Sequence, residues 1–413
     1  MRAHAILGVL FLLYVSNYAD RFVVSGMLEF IKADWALSDA QAGWLMGVVL
    51  LFITLFTIPA SLLTDRWSRR KMISVMVFLW SLATLACAFT RNYNQLLVTR
   101  AFTGFGESGF APAGTALLSA AYPEEKRAKV MGIWNISIPL GVGVGVLAGG
   151  LIARQWGWHH AFGLLAFPGL LLAFAAWFLP DYRSVRPEVS AAAGAEGFRS
   201  FLTKTAGLFR IPALLLTYLG FAMNVAVTTA LMTWLPSYFE RIGMAEPGGG
   251  GAYTLPIFGL VLVGAPLGGF LSDAWYRKQP AARLVFPALT SAIAAVVLLL
   301  GLLHPGGKAQ LAVLIGYGIF ATCYIAPAIS VTQDLVHPGL RAFSYGLCVI
   351  IQHVCGDIWS PGLVGWLSDR TGLPDAMRLI PFFGLLAGLF FYAASRFYVA
   401  DFAKVDKIQL VVE

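Results

Sequence analysis

Ser61-Leu-Leu-Thr-Asp65-Arg66-Trp-Ser-Arg69-Arg70-Lys71 has a counterpart later in the chain, Gly269-Phe-Leu-Ser-Asp273-Ala-Trp-Tyr-Arg277-Lys278. Each copy opens on a small residue, places an aspartate four positions on and closes on cations. The two aspartates are 208 residues apart, close to half of the 413-residue chain. Each copy joins the second and third apolar stretch of a set of six. A chain built this way is an internal duplication with its two halves in parallel topology. The small residue lets two helices approach closely. The aspartate can cap a neighbouring helix or pair with a basic loop residue, and the cations hold the loop at the membrane surface. Asp65, Arg66, Arg69, Arg70, Asp273 and Arg277 are therefore expected to gate a conformational change. Loop charges that merely set membrane orientation are the plainer alternative, and a second copy at the half-chain offset argues against it.

Composition agrees with a membrane protein. Hydrophobic residues make up 58% of the chain, charged residues 12%, and mean hydropathy is +0.74. Soluble domains carry roughly 25% charge, so too few charges are present to cover a soluble surface. A soluble enzyme, a disordered regulator and a secreted disulfide scaffold are all disfavoured. Cys87, Cys323, Cys348 and Cys355 lie singly within apolar segments, as small hydrophobes do.

A helix needs roughly 20 apolar residues to cross the hydrocarbon core. Twelve such stretches are predicted, near 5–30, 39–63, 72–90, 95–121, 128–153, 160–179, 211–239, 252–274, 283–303, 309–335, 340–368 and 376–399. The predicted fold is thus an all-α integral membrane protein, with twelve transmembrane helices in two six-helix halves. The halves are expected at 1–180 and 211–413, with a cytoplasmic linker at 181–210. The linker's later part, Phe198-Arg-Ser-Phe201-Leu-Thr-Lys204-Thr-Ala-Gly-Leu208-Phe209-Arg210, has the pattern of a basic amphipathic helix on a membrane surface. With the N-terminus inside, twenty of the 29 Lys and Arg residues fall on the cytoplasmic side and seven on the other. That bias predicts cytoplasmic termini in a cell (inner) membrane, and the net charge of +8 then requires no nucleic-acid partner.

Ionisable groups at membrane depth are costly and point to function. The first span carries Asn17-Tyr18-Ala19-Asp20-Arg21-Phe22; Asn17 and Arg21 share a helix face, with Asp20 beside it. The fourth carries Arg100 and Glu107, seven residues apart and so on one face, about 10 Å apart along the axis. Asp20, Arg21 and Glu107 are expected to form a charge cluster. An acid whose partner changes between two states can carry a proton, and Arg21 or Arg100 can pair with an acid or hold an anionic substrate group. Arg100 lies nearer the outer end, where snorkelling or packing competes with that role. In the second half, His353 and Asp357 are spaced one helical turn apart, and His353 competes as a proton site with an ordinary interior histidine. Asn17, Asn135, Asn224, Thr228, Tyr324, His353, Asp357 and Trp359 are candidate cavity residues. The second half is otherwise apolar and aromatic, as an amphiphile's tail would need.

Several motifs fail in context. Gly104-x-Gly106-x-x-Gly109 matches a dinucleotide fingerprint but lies inside a membrane helix, with no strand before it. Gly141, Gly143, Gly145, Gly149 and Gly150 read as close helix packing. Gly306-Gly307-Lys308 lacks the rest of a Walker A loop. No metal or cofactor constellation, and no nucleophile–base set, is visible. No cofactor, no metal and no enzymatic activity are expected.

The doubled aspartate–arginine loop on twelve spans resembles the major facilitator superfamily over essentially the whole chain. Its first copy has Ser61 and Ser68 where glycine is usual. Three segments are similar to the spinster group of lipid transporters: Asn17-Tyr18-Ala-Asp20-Arg21-Phe22-Val-Val-Ser-Gly26; Thr99-Arg100 through Gly104-Phe-Gly106-Glu107, with Ile138-Pro139-Leu-Gly141; and Gln352-His353-Val-Cys-Gly356-Asp357-Ile-Trp359-Ser360-Pro361 through Ser368-Asp369. The third discriminates most, because the first two also resemble anion:cation symporters. The spinster resemblance implies proton-linked movement of a lysophospholipid- or sphingolipid-like amphiphile by alternating access. Asp20 and Glu107 match that family's proton-coupling acids and Arg21 their partner. The symporter resemblance implies a proton-coupled small organic anion instead. Protons, membrane lipid and a small-molecule or lipid substrate are the expected partners, and a monomer the expected state.

Overall fold

The computed structural model describes residues 2–181, 207–304, 306–337 and 340–405; within them the side chains of residues 2, 62, 65, 66, 124, 125, 128 and 342 lie outside the description. The described residues are mostly helical, with no strand among them. Of the segment 181–210, only residues 181 and 207–210 are described, so the expected amphipathic helix lies outside the described residues.

Eleven helices among the described residues are long and apolar enough to cross a membrane. The first half contributes Arg2–Trp35, Asp39–Arg66, Arg69–Cys87, Glu124–Trp156 and Trp158–Trp177 as spans one, two, three, five and six. Span four is the twelfth crossing and consists of two shorter helices, Tyr93–Glu107 and Phe110–Ala121. In the second half, spans seven, eight, nine and twelve are Pro212–Arg241, Gly250–Tyr276, Ala282–Leu303 and Leu373–Ala403. Span ten is Gly307–Phe320 followed by Ile325–Asp334. Span eleven is Arg341–Gln352, a π turn at His353–Asp357, then Ser360–Thr371.

The three interruptions share a cause. Each falls at or beside the residue four positions before a proline: Pro112, Pro327 and Pro361 respectively. Proline has no N–H to return to that residue's carbonyl, and its ring crowds the same oxygen. Span ends are set by ordinary caps. Ser38 and Gln41 form a reciprocal capping box on span two, and Asn92 Oδ1 accepts from Gln95 N on span four. Gly157 at φ +89° and Gly372 at φ +83° make the tight turns from span five to six and from eleven to twelve, a backbone region that favours glycine.

The first half packs around Leu10, Leu13, Val77, Trp80, Phe110, Leu117 and Trp134, with Tyr14 stacked on Trp134 at 4.5 Å between ring centroids. The span-five glycines act there as the sequence predicts. A Cβ on Gly141, Gly145 or Gly149 would lie within 2.5 Å of the carbonyl oxygens of Val15, Ala19 and Val23. Spans one and five therefore meet backbone to backbone. That contact fixes the rotation of span one and sends Asp20 and Arg21 away from span five.

By packing, the chain forms two compact units. One holds Met1–Arg183 with Thr229–Phe258 and Asp357–Met377; the other holds Ser184–Thr228, Gly259–Gly356 and Arg378–Glu413. The first unit thus includes one end of spans seven, eight and eleven.

Candidate functional site

The intramembrane charges of spans one and four lie in the first unit. Arg21 donates from Nε and Nη2 to a single oxygen of Glu107, at 2.8 and 2.6 Å. Its guanidinium also lies over the Tyr18 ring, 4.7 Å from the centroid, and Nη2 reaches Asn17 Oδ1 at 3.4 Å. The Glu107 side chain is fully buried, whereas that of Arg21 is 13% exposed. The second Glu107 oxygen and the Asn17 amide nitrogen have no hydrogen-bond partner among the described residues. An ion pair held on one oxygen in a dry site is well suited to exchange: it is worth keeping, yet the acid has capacity for another partner. Removing one member of such a pair strands the other at about 3–5 kcal/mol.

Asp20 stands apart from this pair. It is fully buried, and neither carboxyl oxygen has a hydrogen-bond partner among the described residues. The three-residue cluster expected from sequence is therefore a paired Arg21–Glu107 with a separate acid on the adjacent stripe of span one.

Arg100 takes the packing role that the sequence sets against anion binding. It neither snorkels toward an interface nor offers its donors to an anion. It is fully buried, and it donates to the backbone carbonyls of Leu45, Asp20 and Arg21 at 3.3, 2.9 and 2.8 Å. Three donors on three carbonyls make it a strut joining spans one, two and four. Gly104 and Gly106 allow the approach, since a Cβ on either would meet the Val49 carbonyl or the Trp80 backbone at 2.3 and 2.5 Å.

Among the remaining candidates, Asn135 is exposed and bonds its own helix at Met131 O. Asn224 Nδ2 donates to Ser291 Oγ on span nine at 2.9 Å, and Thr228 returns its hydroxyl to Asn224 O. Tyr324 is buried against Phe221 and Phe391, in a packing role. His353 and Asp357 bound the π turn, a wider turn than the α-helical one assumed for them but one that still leaves positions four apart on one face. Asp357 is buried, and Trp359 and His353 are half-buried.

In the second-half loop, Asp273 pairs with Arg283. Arg283 Nε lies 3.6 Å from Asp334 Oδ2, its guanidinium covers the Tyr276 ring at 4.2 Å, and Tyr398 donates to Asp334 at 3.4 Å. Arg283 is thus the loop's central cation. In the first-half loop, the side chains of Asp65 and Arg66 lie outside the described residues. Arg69 is buried, Arg70 donates to Leu179 O at 3.2 Å, and Ser68 donates to Asp181 at 2.5 Å.

A further charge cluster was not singled out by sequence. At the end of the first unit away from the basic loops, Arg241 of span seven donates to Glu29 at 3.0 and 2.7 Å and to both oxygens of Asp39 at 2.7 Å. Lys32 and Ser368 also contact Asp39. Asp369 accepts from the backbone N–H groups of Asp39 and Ala40 at 2.7 and 3.0 Å, capping span two from span eleven. Glycines bring these spans together: a Cβ on Gly43 or Gly365 would lie within 2.2 Å of Pro361 O or Asp39 O. Charges at span ends are ordinary, and pairing across about 200 positions leaves no local signature.

Known proteins agree with this architecture. The profile of the Major Facilitator Superfamily matches residues 10–361. The chain is 27% identical to spinster homolog 1 of Xenopus tropicalis, over 96% of this chain and 82% of that protein. It is 29% identical to an MFS-type efflux pump of Mycolicibacterium smegmatis, over 89% and 85%. Among solved structures, a bacterial homologue of the human lysosomal transporter Spinster, in an inward-facing and unoccupied conformation, superposes with a TM-score of 0.85 at 23% identity over 97% of this chain and 98% of that one. A D-xylose–proton symporter shares the fold at a TM-score of 0.74 and 17% identity, over 95% and 98%. With twelve helical crossings, a duplicated aspartate loop and a family match over most of its length, the chain belongs to the Major Facilitator Superfamily and is a transporter of spinster-like sequence, not an enzyme.

Proposed function

We propose that the chain is a proton-coupled secondary transporter that works by alternating access and moves a lysophospholipid- or sphingolipid-like amphiphile. The observation that carries the coupling is the Arg21–Glu107 pair at membrane depth, held through one carboxylate oxygen, with the unpaired acid Asp20 on the next stripe. When a conformational change or an anionic cargo draws Arg21 away, Glu107 keeps its charge in a dry site only at a cost of several kcal/mol, and a proton takes the guanidinium's place. Return of Arg21 expels that proton. Arg21 remains a cation throughout and serves as the switching partner, with Asp20 as the second proton carrier.

The lipid assignment draws on likeness to spinster proteins and on the apolar second half. In this reading the six-span halves 1–180 and 211–413 rock about a midplane site, joined by the 181–210 segment. Both termini lie in the cytoplasm of a cell (inner) membrane, and the monomer is the working unit. The Arg241 cluster closes the outer side, and the Asp273–Arg283–Asp334 set braces the inner side of the second half.

Uptake of a fluorescent lysophospholipid into liposomes under an imposed pH gradient tests this. Wild type accumulates the probe, and Glu107→Gln and Asp20→Asn lose gradient-driven accumulation while still binding it. Undiminished accumulation in both variants rejects the coupling. Uptake of small carboxylates but no lysolipid supports the second reading, an organic-anion:proton symporter, which the partly exposed Arg21 guanidinium favours.

A further inference from the structure

Buried hydroxyls in this chain generally return their proton to their own helix. Thr64, Thr103, Thr217, Thr233 and Thr290 each donate to a carbonyl four residues back. Six buried Ser and Thr hydroxyls have no partner among the described residues. Three of them, Ser16, Ser81 and Thr84, come from helices packed around Asp20. Ser16 is one turn before Asp20 on the same stripe of span one. Ser81 and Ser16 converge over span six, where a Cβ on Gly169 would lie 2.1 Å from Ser81 Oγ and 3.4 Å from Ser16 Oγ. Thr84 is one turn beyond Trp80, whose indole N–H lies beside the Asp20 carboxyl yet outside hydrogen-bonding geometry with any described group. Asp20, Trp80, Ser81 and Thr84 are 0% exposed and Ser16 is 8% exposed.

Each orphaned polar group costs about 1–3 kcal/mol if nothing satisfies it, and so many together at random would be unusual in a folded protein. Their chemistry is mixed. Trp80 only donates, a charged Asp20 only accepts, and the three hydroxyls do both. Ordered water needs two to four partners of both kinds. A bare sodium ion needs oxygens alone, and here it would meet the Trp80 N–H and the Arg100 guanidinium held on Asp20's own carbonyl. The other titratable groups nearby are Glu107 on span four, Arg21 on span one and the Cys87 thiol on span three.

We propose that Ser16, Trp80, Ser81 and Thr84 hold ordered water against Asp20, and that this hydrated cluster is the route by which its carboxyl exchanges protons. It lies on the stripe of span one next to the Arg21–Glu107 pair, so the protons of Asp20 exchange on a different face of the helix from the one that carries that pair. A proton passes from water to an Asp20 oxygen and leaves by the reverse step, with no other species consumed. The four residues position water and do not carry the proton themselves. The inference rests on the proton-coupling reading for its purpose, but not for its test.

Infrared spectroscopy of the purified full chain tests it directly. The Asp20 carboxyl band, assigned by its loss in D20N, shifts on transfer from H2O to D2O. The wild-type shift is complete within seconds. Thr84→Val (isosteric) and Ser81→Ala each slow it at least tenfold, and Thr84→Ser restores it. An unchanged exchange rate in both variants, or an Asp20 band absent at every pH while sodium perturbs the carboxylate, overturns the water route. Lysolipid uptake by D20N provides the separate arm. Undiminished pH-driven uptake there rejects the coupling reading and leaves the infrared comparison standing; unchanged infrared exchange rejects the water route and leaves the coupling reading standing.

Discussion

Arg21 and Arg100 are both arginines within membrane helices, one partly exposed and one fully buried, and their surroundings give them opposite behaviour. Arg21 spends its donors on one carboxylate oxygen and one weak amide contact, and both can be exchanged. Arg100 spends its donors on three backbone carbonyls, which no conformational change can neutralise or protonate. Lysine at the two sites separates the roles. An ammonium cannot span three carbonyls at once, and hydrogen bonds to charged groups are each worth about 1.5–3 kcal/mol. Arg100→Lys is therefore expected to lower the thermal midpoint of the detergent-solubilised protein by several degrees, seen by nano-calorimetry. Arg21→Lys is expected to leave the midpoint within about 2 °C while impairing pH-driven uptake. Equal midpoints for the two variants would contradict the distinction. The sequence made both arginines visible, because charge inside an apolar run is conspicuous. Nearness to the outer end marks Arg100 alone as a candidate for packing, but which groups each guanidinium meets depends on neighbouring helices and is not legible from spacing.

At the scale of the element, periodicity was reliable and continuity was not. The span-five glycines announced a close contact, and they seat on the carbonyls of Val15, Ala19 and Val23. Gly145→Val is expected to abolish folded yield, because a Cβ there meets Ala19 O at 2.4 Å and neither backbone can withdraw; normal yield and transport would contradict this. The interruptions of spans four, ten and eleven were not foreseen, although Pro112, Pro327 and Pro361 were in plain view. Pro59, Pro139, Pro168, Pro236, Pro287 and Pro381 sit inside unbroken helices, so proline alone does not decide. The π turn at His353–Asp357 is a further departure from a continuous α-helix that residue spacing does not announce. Asn224, Thr228 and Tyr324 show the same limit on side-chain orientation: helical spacing places a residue on a face but does not say whether that face meets a cavity or another helix.

For the whole molecule, the duplicated loop and the twelve apolar stretches mark a twelve-span transporter. The Arg241 cluster is what they could not reveal, since Arg241 lies 212 and 202 positions from Glu29 and Asp39. It ties spans one, two, seven and eleven at one end. Removing one partner from a partly buried network of this kind costs about 2–5 kcal/mol, and about 3 kcal/mol corresponds to roughly a hundredfold shift between two states. Arg241→Gln is expected to raise amide hydrogen exchange over residues 29–43 and 361–370 by one to two orders of magnitude, with the far ends of the same spans unchanged. Exchange identical to wild type would show that the glycine contacts alone hold this end shut.

The central claim, that Glu107 trades Arg21 for a proton during transport, is tested most directly by proton-to-cargo stoichiometry in liposomes. Opposing pH and lysolipid gradients are titrated until net probe flux reverses. Wild type is predicted to reverse at a lysolipid ratio that tracks the pH gradient, and Glu107→Gln to reverse only where the lysolipid gradient itself vanishes. A Glu107→Gln reversal point that still follows pH as wild type does would contradict the account.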